Sequence, residues 1–123
     1  MTPSQKTRAD YLHRSAIRVA LEAKENAVKK EFDRVIRKTH EALELLFKGL
    51  LIEQGIEPAK THDLSQLYQR IANPKFQLQE DDLTFLTEQR IPAFYGAPDF
   101  VPDEDYSDED CSRCLSLLAA AGL

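Results

Sequence analysis

Apolar positions recur along most of the chain at intervals of three and four, the spacing of one face of an α-helix, and no stretch alternates with the two-residue period of a strand. From about Thr7 to Ala23, the residues Tyr11, Leu12, Ala16, Val19 and Ala20 form such a face, with Arg14 and Arg18 four apart on another. Asn26 marks a turn near residues 24–28, although Glu22 through Phe32 contains neither Gly nor Pro. The longest pattern runs from about Lys29 to Gln54 through Phe32, Val35, Ile36, Thr39, Leu43, Leu46, Phe47 and Leu50. Gly55 and Pro58 end it. Gly49 lies inside this run at a cost of about 1 kcal/mol relative to Ala, which points to a close helix crossing. Leu45, Leu51 and Ile52 widen the apolar face beyond what one core contact needs, and the surplus predicts a homodimer interface on this helix.

Beyond Lys60 the elements shorten. Thr61, His62 and Asp63 precede a short amphipathic helix through Leu64, Leu67, Tyr68 and Ile71, ended by Asn73-Pro74. A further helix starts at Glu80 or Asp81, whose charges suit a helix N-terminus, and continues until Pro92. Residues 92–106 read as a long loop with four aromatics, Phe94, Tyr95, Phe100 and Tyr106. Ser107 then caps a last helix with Asp108, Glu109 and Asp110 in its first turn and Cys111, Cys114, Leu115 and Leu118 on its apolar face. The pattern predicts an all-α, up-and-down bundle of about five helices.

Composition adds that 123 residues with 42% hydrophobic and 30% charged side chains fit one globular domain spanning residues 1–123. No run approaches the roughly 20 apolar residues of a membrane span, and the first residues lack the apolar core of a secretory signal, so a cytoplasmic protein with no membrane contact is expected. The net charge of −5 is unevenly distributed. Residues 1–60 hold 12 Lys and Arg against 9 Asp and Glu, whereas residues 61–123 hold 4 against 12. The two halves can therefore present surfaces of opposite sign.

Candidate chemistry is sparse. Cys111-Ser112-Arg113-Cys114 lacks the strand-to-helix context of a redox CxxC, and its spacing places both thiols on the buried face of a helix. His13, His40 and His62 show no metal-ligand spacing, and no phosphate loop or nucleophile elbow is present, so neither a metal nor a cofactor is expected. Lys30, Arg34 and Lys38 recur every four residues, with Arg37 and His40 three apart, giving the long helix one broad cationic sector. Such a sector can hold phosphates, or it can be a solvated face paired with Glu31, Asp33, Glu41 and Glu44.

Three segments resemble the HEPN family of small helical bundles. His40-Glu41-Ala42-Leu43-Glu44, followed by Lys48, is similar to the family's long-helix pattern of Ala, Glu two later and Lys four after that. Lys60-Thr61-His62-Asp63-Leu64 is similar to its "KTHDL" segment at the start of the next helix, the most specific of the three. Ile91-Pro92-Ala93-Phe94-Tyr95-Gly96, with Tyr106 to Asp110 beyond it, resembles its "IPARYP" loop and final helix. Phe94 and Gly96 replace the Arg and Pro of that loop, which removes a cation able to meet phosphate.

Relatives in this family include ribonuclease toxins, nucleotide-binding modules and partners of minimal nucleotidyltransferases. The resemblance therefore implies a homodimeric binding module for a nucleotide-containing ligand or RNA, or one half of a toxin–antitoxin-like pair with a minimal nucleotidyltransferase. Its candidate ligand contacts are Arg34, Arg37, His40 and Lys48 on the long helix and Lys60, His62 and Asp63 at the turn. The turn residues serve equally as a helix cap. The alternative is a metal-independent ribonuclease with His40 or His62 as general acid or base. Ribonuclease relatives place an Arg four to six residues before a His in a late helix. Here Arg34 and His40 have that spacing, inside the long helix, and six helical steps turn about 240° beyond one revolution, so the two side chains do not share a face. No catalytic residue is assigned.

Overall fold

The computed structural model describes all residues, Met1–Leu123, as six helices with no strand. Two long antiparallel helices form one layer: α1 (Pro3–Val28) and α2 (Phe32–Glu53). The α1 helix starts earlier than the apolar pattern indicates, because Thr2, Pro3 and Gln5 build a cap. Gln5 N donates to Thr2 Oγ1 at 3.1 Å, and Thr2 N donates to the Gln5 side chain at 2.8 Å. Proline at the first helical position sacrifices no hydrogen bond.

The turn between the two helices lies at residues 29–31, not at residues 24–28. Asn26 stays helical and pins the turn from below: its side-chain amide donates to Glu31 Oε1 at 3.1 Å, and its carbonyl accepts from Glu31 N at 2.9 Å. Lys30 takes the reversing left-handed conformation, with φ 59°.

Gly49 faces α1 at close range. A Cβ at this position would stand 3.4 Å from Leu12 Cβ and 3.5 Å from the Ala9 carbonyl, ordinary contact distances with no room beyond. The small residues Ala9, Ala16, Ala20, Ala23 and Ala42 are all buried in the same seam. Leu51 and Ile52 are also buried, and Leu45 packs against the core, so the wide apolar face of α2 is consumed within the chain and leaves no surplus for a dimer.

The remaining helices lie against α2: α3 (Leu64–Gln69), α4 (Glu80–Tyr95), α5 (Pro102–Asp105) and α6 (Asp108–Ala120). Phe47, Ile36, Leu43 and Leu51 of α2 meet Leu64, Leu67, Leu83, Leu86 and Cys114 in the main core. Phe47, Tyr68 and Phe76 form a cluster of three mutually adjacent rings with centroids 5.4–6.4 Å apart, and the Tyr68 hydroxyl donates to the Phe76 carbonyl at 3.0 Å. Arg113 clamps α6 to α4 through Asp82 at 2.6 Å and the ring of Phe85. Burial pushes both thiols up, Cys114 to about 12, so the pair packs as neutral groups.

Two expectations about residues 92–106 change. Pro92 does not end α4, which continues to Tyr95 with Gly96 N donating to the Pro92 carbonyl at 2.8 Å. Proline removes its own N–H and crowds the carbonyl four residues earlier, and burial of Ala93 holds the extra turn in place against that cost. Gly96 then reverses the chain at φ 73°, where a Cβ would meet the Phe100 carbonyl at 2.9 Å. Residues 102–105 add the short α5, making six helices instead of five. Phe100 and Tyr106 meet edge to face at 4.9 Å, and Tyr106 donates to Gln89 at 2.8 Å, fastening this segment to α4. No helix is long and apolar enough to cross a membrane.

The Gly49 geometry generates a prediction. Gly49→Ala should be neutral or stabilising by up to about 1 kcal/mol, because the methyl meets only ordinary contacts and helix propensity improves. Gly49→Leu should cost more than about 2 kcal/mol by forcing the long helices apart. Urea unfolding of both variants checks this, and a Gly49→Ala loss above 1 kcal/mol would contradict it.

Candidate anion-binding cleft

Glu44 sits on α2 one turn after His40 and one turn before Lys48, so all three share a stripe of the helix. Its carboxylate receives Lys48 Nζ on Oε2 at 3.0 Å and His62 Nδ1 on Oε1 at 2.8 Å. Burial pushes the Glu44 carboxyl up, but the hydrogen bonds from His62 and Lys48 together outweigh it and hold the group below the usual carboxylate range. An ionised carboxylate has no proton to give, so His62 Nδ1 carries the hydrogen. Its Nε2 has no partner in the chain.

His40 is buried beneath this pair, and its Nε2–H donates to the His62 backbone carbonyl at 2.8 Å. The other ring nitrogen stands 3.9 Å from Glu44 Oε1, too far for a hydrogen bond. Burial holds His40 below the ordinary histidine range, outweighing the His62 carbonyl and Glu44, so the ring is a neutral strut and not an ion-pair partner. The turn is braced from its other side. Asp63 caps α3 by accepting from Gln66 N at 3.2 Å, Thr61 Oγ1 accepts from Asp63 N at 3.1 Å, and Leu64 N donates to Thr87 of α4 at 3.1 Å.

Between α2, this turn and the end of α4 lies a cleft of about 480 Å³ lined by Arg34, Arg37, Lys38, His40, Glu41, Glu44, His62, Arg90 and Phe94. Four permanent cations face two carboxylates, and Glu44 is already matched by Lys48 below the cleft. Lys38 is held by Glu22 of α1 at 3.0 Å. The three arginines are far less committed. Arg34 stands 4.0 Å from Glu31 and Arg37 3.7 Å from Asp33, while Arg90 has no ion pair. The Arg37 guanidinium lies over the Phe94 ring, 4.4 Å from its centroid, and its buried Nε lacks any hydrogen-bond partner. Stacking fixes the plane of this fork while leaving its donors uncommitted, the state suited to receiving an anion.

Arg34, Arg37, His40 and His62 thus share one cleft. Arg34 and His40 both line it, although six helical steps separate them on α2. Lys48 lies beneath, tied to Glu44; Lys60 is exposed outside the cleft; Asp63 is the α3 cap. Sequence reasoning missed Arg90 and Phe94. Taking Pro92 as the end of α4 hid their i,i+4 relation, which puts both on the cleft side. The cation absent at position 94 is replaced in space, with Arg37 on the ring and Arg90 one turn earlier.

A family model for the HEPN domain matches residues 9–120, from the second turn of α1 to the end of α6. The chain belongs to the HEPN family. It matches no curated protein and no solved structure at a significant level. Every element that builds the cleft falls inside the HEPN match, including the Glu44–Lys48 pair, the Lys60–Leu64 turn and the Phe94 segment.

The two shifted groups of this HEPN cleft set distinct pH windows. The unfolded chain protonates His40 near its ordinary value of 6.5, before the folded chain does, so stability from the neutral ring is complete above that value and falls as pH drops below it. Glu44, lowered from 4.5, contributes above that value and is lost as pH falls through its folded value. His40→Gln keeps a donor for the His62 carbonyl without the titration. It should flatten the stability loss expected of wild type between about pH 7 and pH 5.5, and an unchanged slope would contradict this role.

Proposed function

We propose that this HEPN domain is a binding module whose cleft takes the phosphate of a nucleotide-containing ligand, acting in the cytoplasm as a homodimer or beside a minimal nucleotidyltransferase in a toxin–antitoxin-like pair. The carrying observation is the set of three arginines, Arg34, Arg37 and Arg90, around the half-exposed Phe94 ring: Arg34 and Arg37 have only long ion pairs to Glu31 and Asp33, and Arg90 has none. Guanidinium forks suit phosphate, and an aromatic face beside them suits a base. The cleft volume falls in the range that holds small ligands. HEPN membership and its association with nucleotide-related functions support the same reading.

A second reading, a metal-independent ribonuclease, is favoured by the Glu44–His62 pair. A carboxylate orients His62 through Nδ1, and its free Nε2 stands in a cationic cleft, the arrangement of a general base beside a phosphodiester. The late-helix Arg and His of the ribonuclease relatives have no counterpart, since no His follows His62.

Titration of AMP and of a short RNA at two salt concentrations tests the site. Arg34→Ala with Arg90→Ala should weaken binding at least about tenfold and flatten its salt dependence by roughly one to two counterions, with stability changed by about 0.5 kcal/mol or less. Arg37→Ala should also weaken binding, but at a stability cost of about 1 kcal/mol for the lost stacking. Unchanged affinity and salt slope in the double variant would sink the site. RNA cleavage by wild type that disappears in His62→Ala would replace the binding reading with the enzymatic one.

A further inference from the structure

The surplus of exposed apolar side chains lies on α1, not α2. Tyr11 is 54% exposed, Ile17 51%, Leu21 56% and Val28 85%. At about 100° per residue these four fall within roughly 120° of arc, opposite the face that buries Ala9, Ala16, Val19, Ala20 and Ala23. The helix packs on α2 and α6 with that inner face, and no other element covers the outer one.

Charges on the outer arc are arranged by sign along the helix. Arg14 and Arg18 lie in its first half and Glu25 in its second, and none of the three has an ion-pair partner in the chain, although ten ion pairs occur elsewhere. Glu22, at the edge of the arc, is engaged by Lys38.

We infer that the outer face of α1 is a two-fold symmetric docking surface for a second copy of this chain, with the two α1 helices antiparallel. This rests on the homodimer reading above and names its surface. A two-fold contact brings the same patch of both copies together, so it must complement itself. One antiparallel register does so. It sets Tyr11 against Val28 of the second copy and Arg14 against Glu25 of the second copy. Ile17 and Leu21 then interleave with their symmetry mates around the axis, and Arg18 reaches toward Glu22 of the second copy. Each pairing occurs twice. Parallel packing is excluded by the same charges, because it stacks Arg14 on Arg14 and Glu25 on Glu25.

Arg34, Arg37, Arg90 and Phe94 of the cleft lie on α2 and α4, whereas Tyr11, Arg14, Ile17, Leu21, Glu25 and Val28 of the docking surface lie on α1, and the link between the two sets is the Glu22–Lys38 pair. The two functions are therefore separable by mutation.

Sedimentation equilibrium over micromolar to submillimolar concentrations tests the surface. Wild type should dimerise, and Leu21→Glu with Ile17→Glu should be monomeric with an unchanged helical circular dichroism spectrum and unchanged AMP binding. Arg14→Glu alone and Glu25→Arg alone should each weaken the dimer about tenfold, since each change turns two attractions into repulsions. Both reversals in one chain should restore it. A dimer indifferent to these changes would overturn the α1 surface while leaving the homodimer reading intact, and a wild-type monomer throughout would overturn both.

Discussion

The carboxylate of Glu44 is the constraint on which the functional end of the bundle depends. Only 16% of its side chain is exposed, and an unmatched charge at such a position would cost about 3–5 kcal/mol. Lys48 meets it along α2, but the remaining oxygen needs a donor from another element, and the chain supplies His62. The Lys60–Leu64 turn is thereby drawn onto α2, and His40 holds its backbone from below. Once His62 is placed, the α3 cap at Asp63, the buried Leu64 and the closed end of the cleft follow.

The cationic character of the cleft arises from two helices brought side by side. The first turns of α2 carry Arg34, Arg37 and Lys38, and the extra turn of α4 beyond Pro92 brings Arg90 and Phe94 against them. Phe94 does more than fill space. By stacking under Arg37 it holds a planar fork in place without consuming its hydrogen-bond donors, and the Asp33 carboxylate, 3.7 Å away, is too distant to take them up. The acidic residues of the C-terminal half lie mostly at helix N-termini, in the first turns of α4, α5 and α6, where they complement the helix dipoles. The opposite charges of the two halves thus have separate structural settings.

Much of the fold was legible because the relevant forces are local. The apolar stripe of α2, the Ser107 cap with its acidic first turn and the stop at Gly55 all appear at the expected places. Misplaced boundaries trace to residues whose partners lie outside the local window. Asn26 looks like a helix breaker until Glu31 is seen to bind it, and Pro92 looks like a terminator until Ala93 is found in the core. The site was half legible for a similar reason: Arg34, Arg37, His40 and His62 belong to visible patterns, but only packing could reveal that Arg90 and Phe94 face them. Likewise, the wide apolar face of α2 could not be apportioned between core and interface until α1 was seen to cover it.

The most direct test of the account is a two-dimensional amide NMR titration of the assigned protein with AMP and with a short RNA. The account predicts saturable shift changes concentrated at residues 34–41, 61–63 and 90–94, with those of α1's outer face unmoved. Changes centred elsewhere in the bundle, or no saturable change with either probe, would contradict the assignment of the cleft.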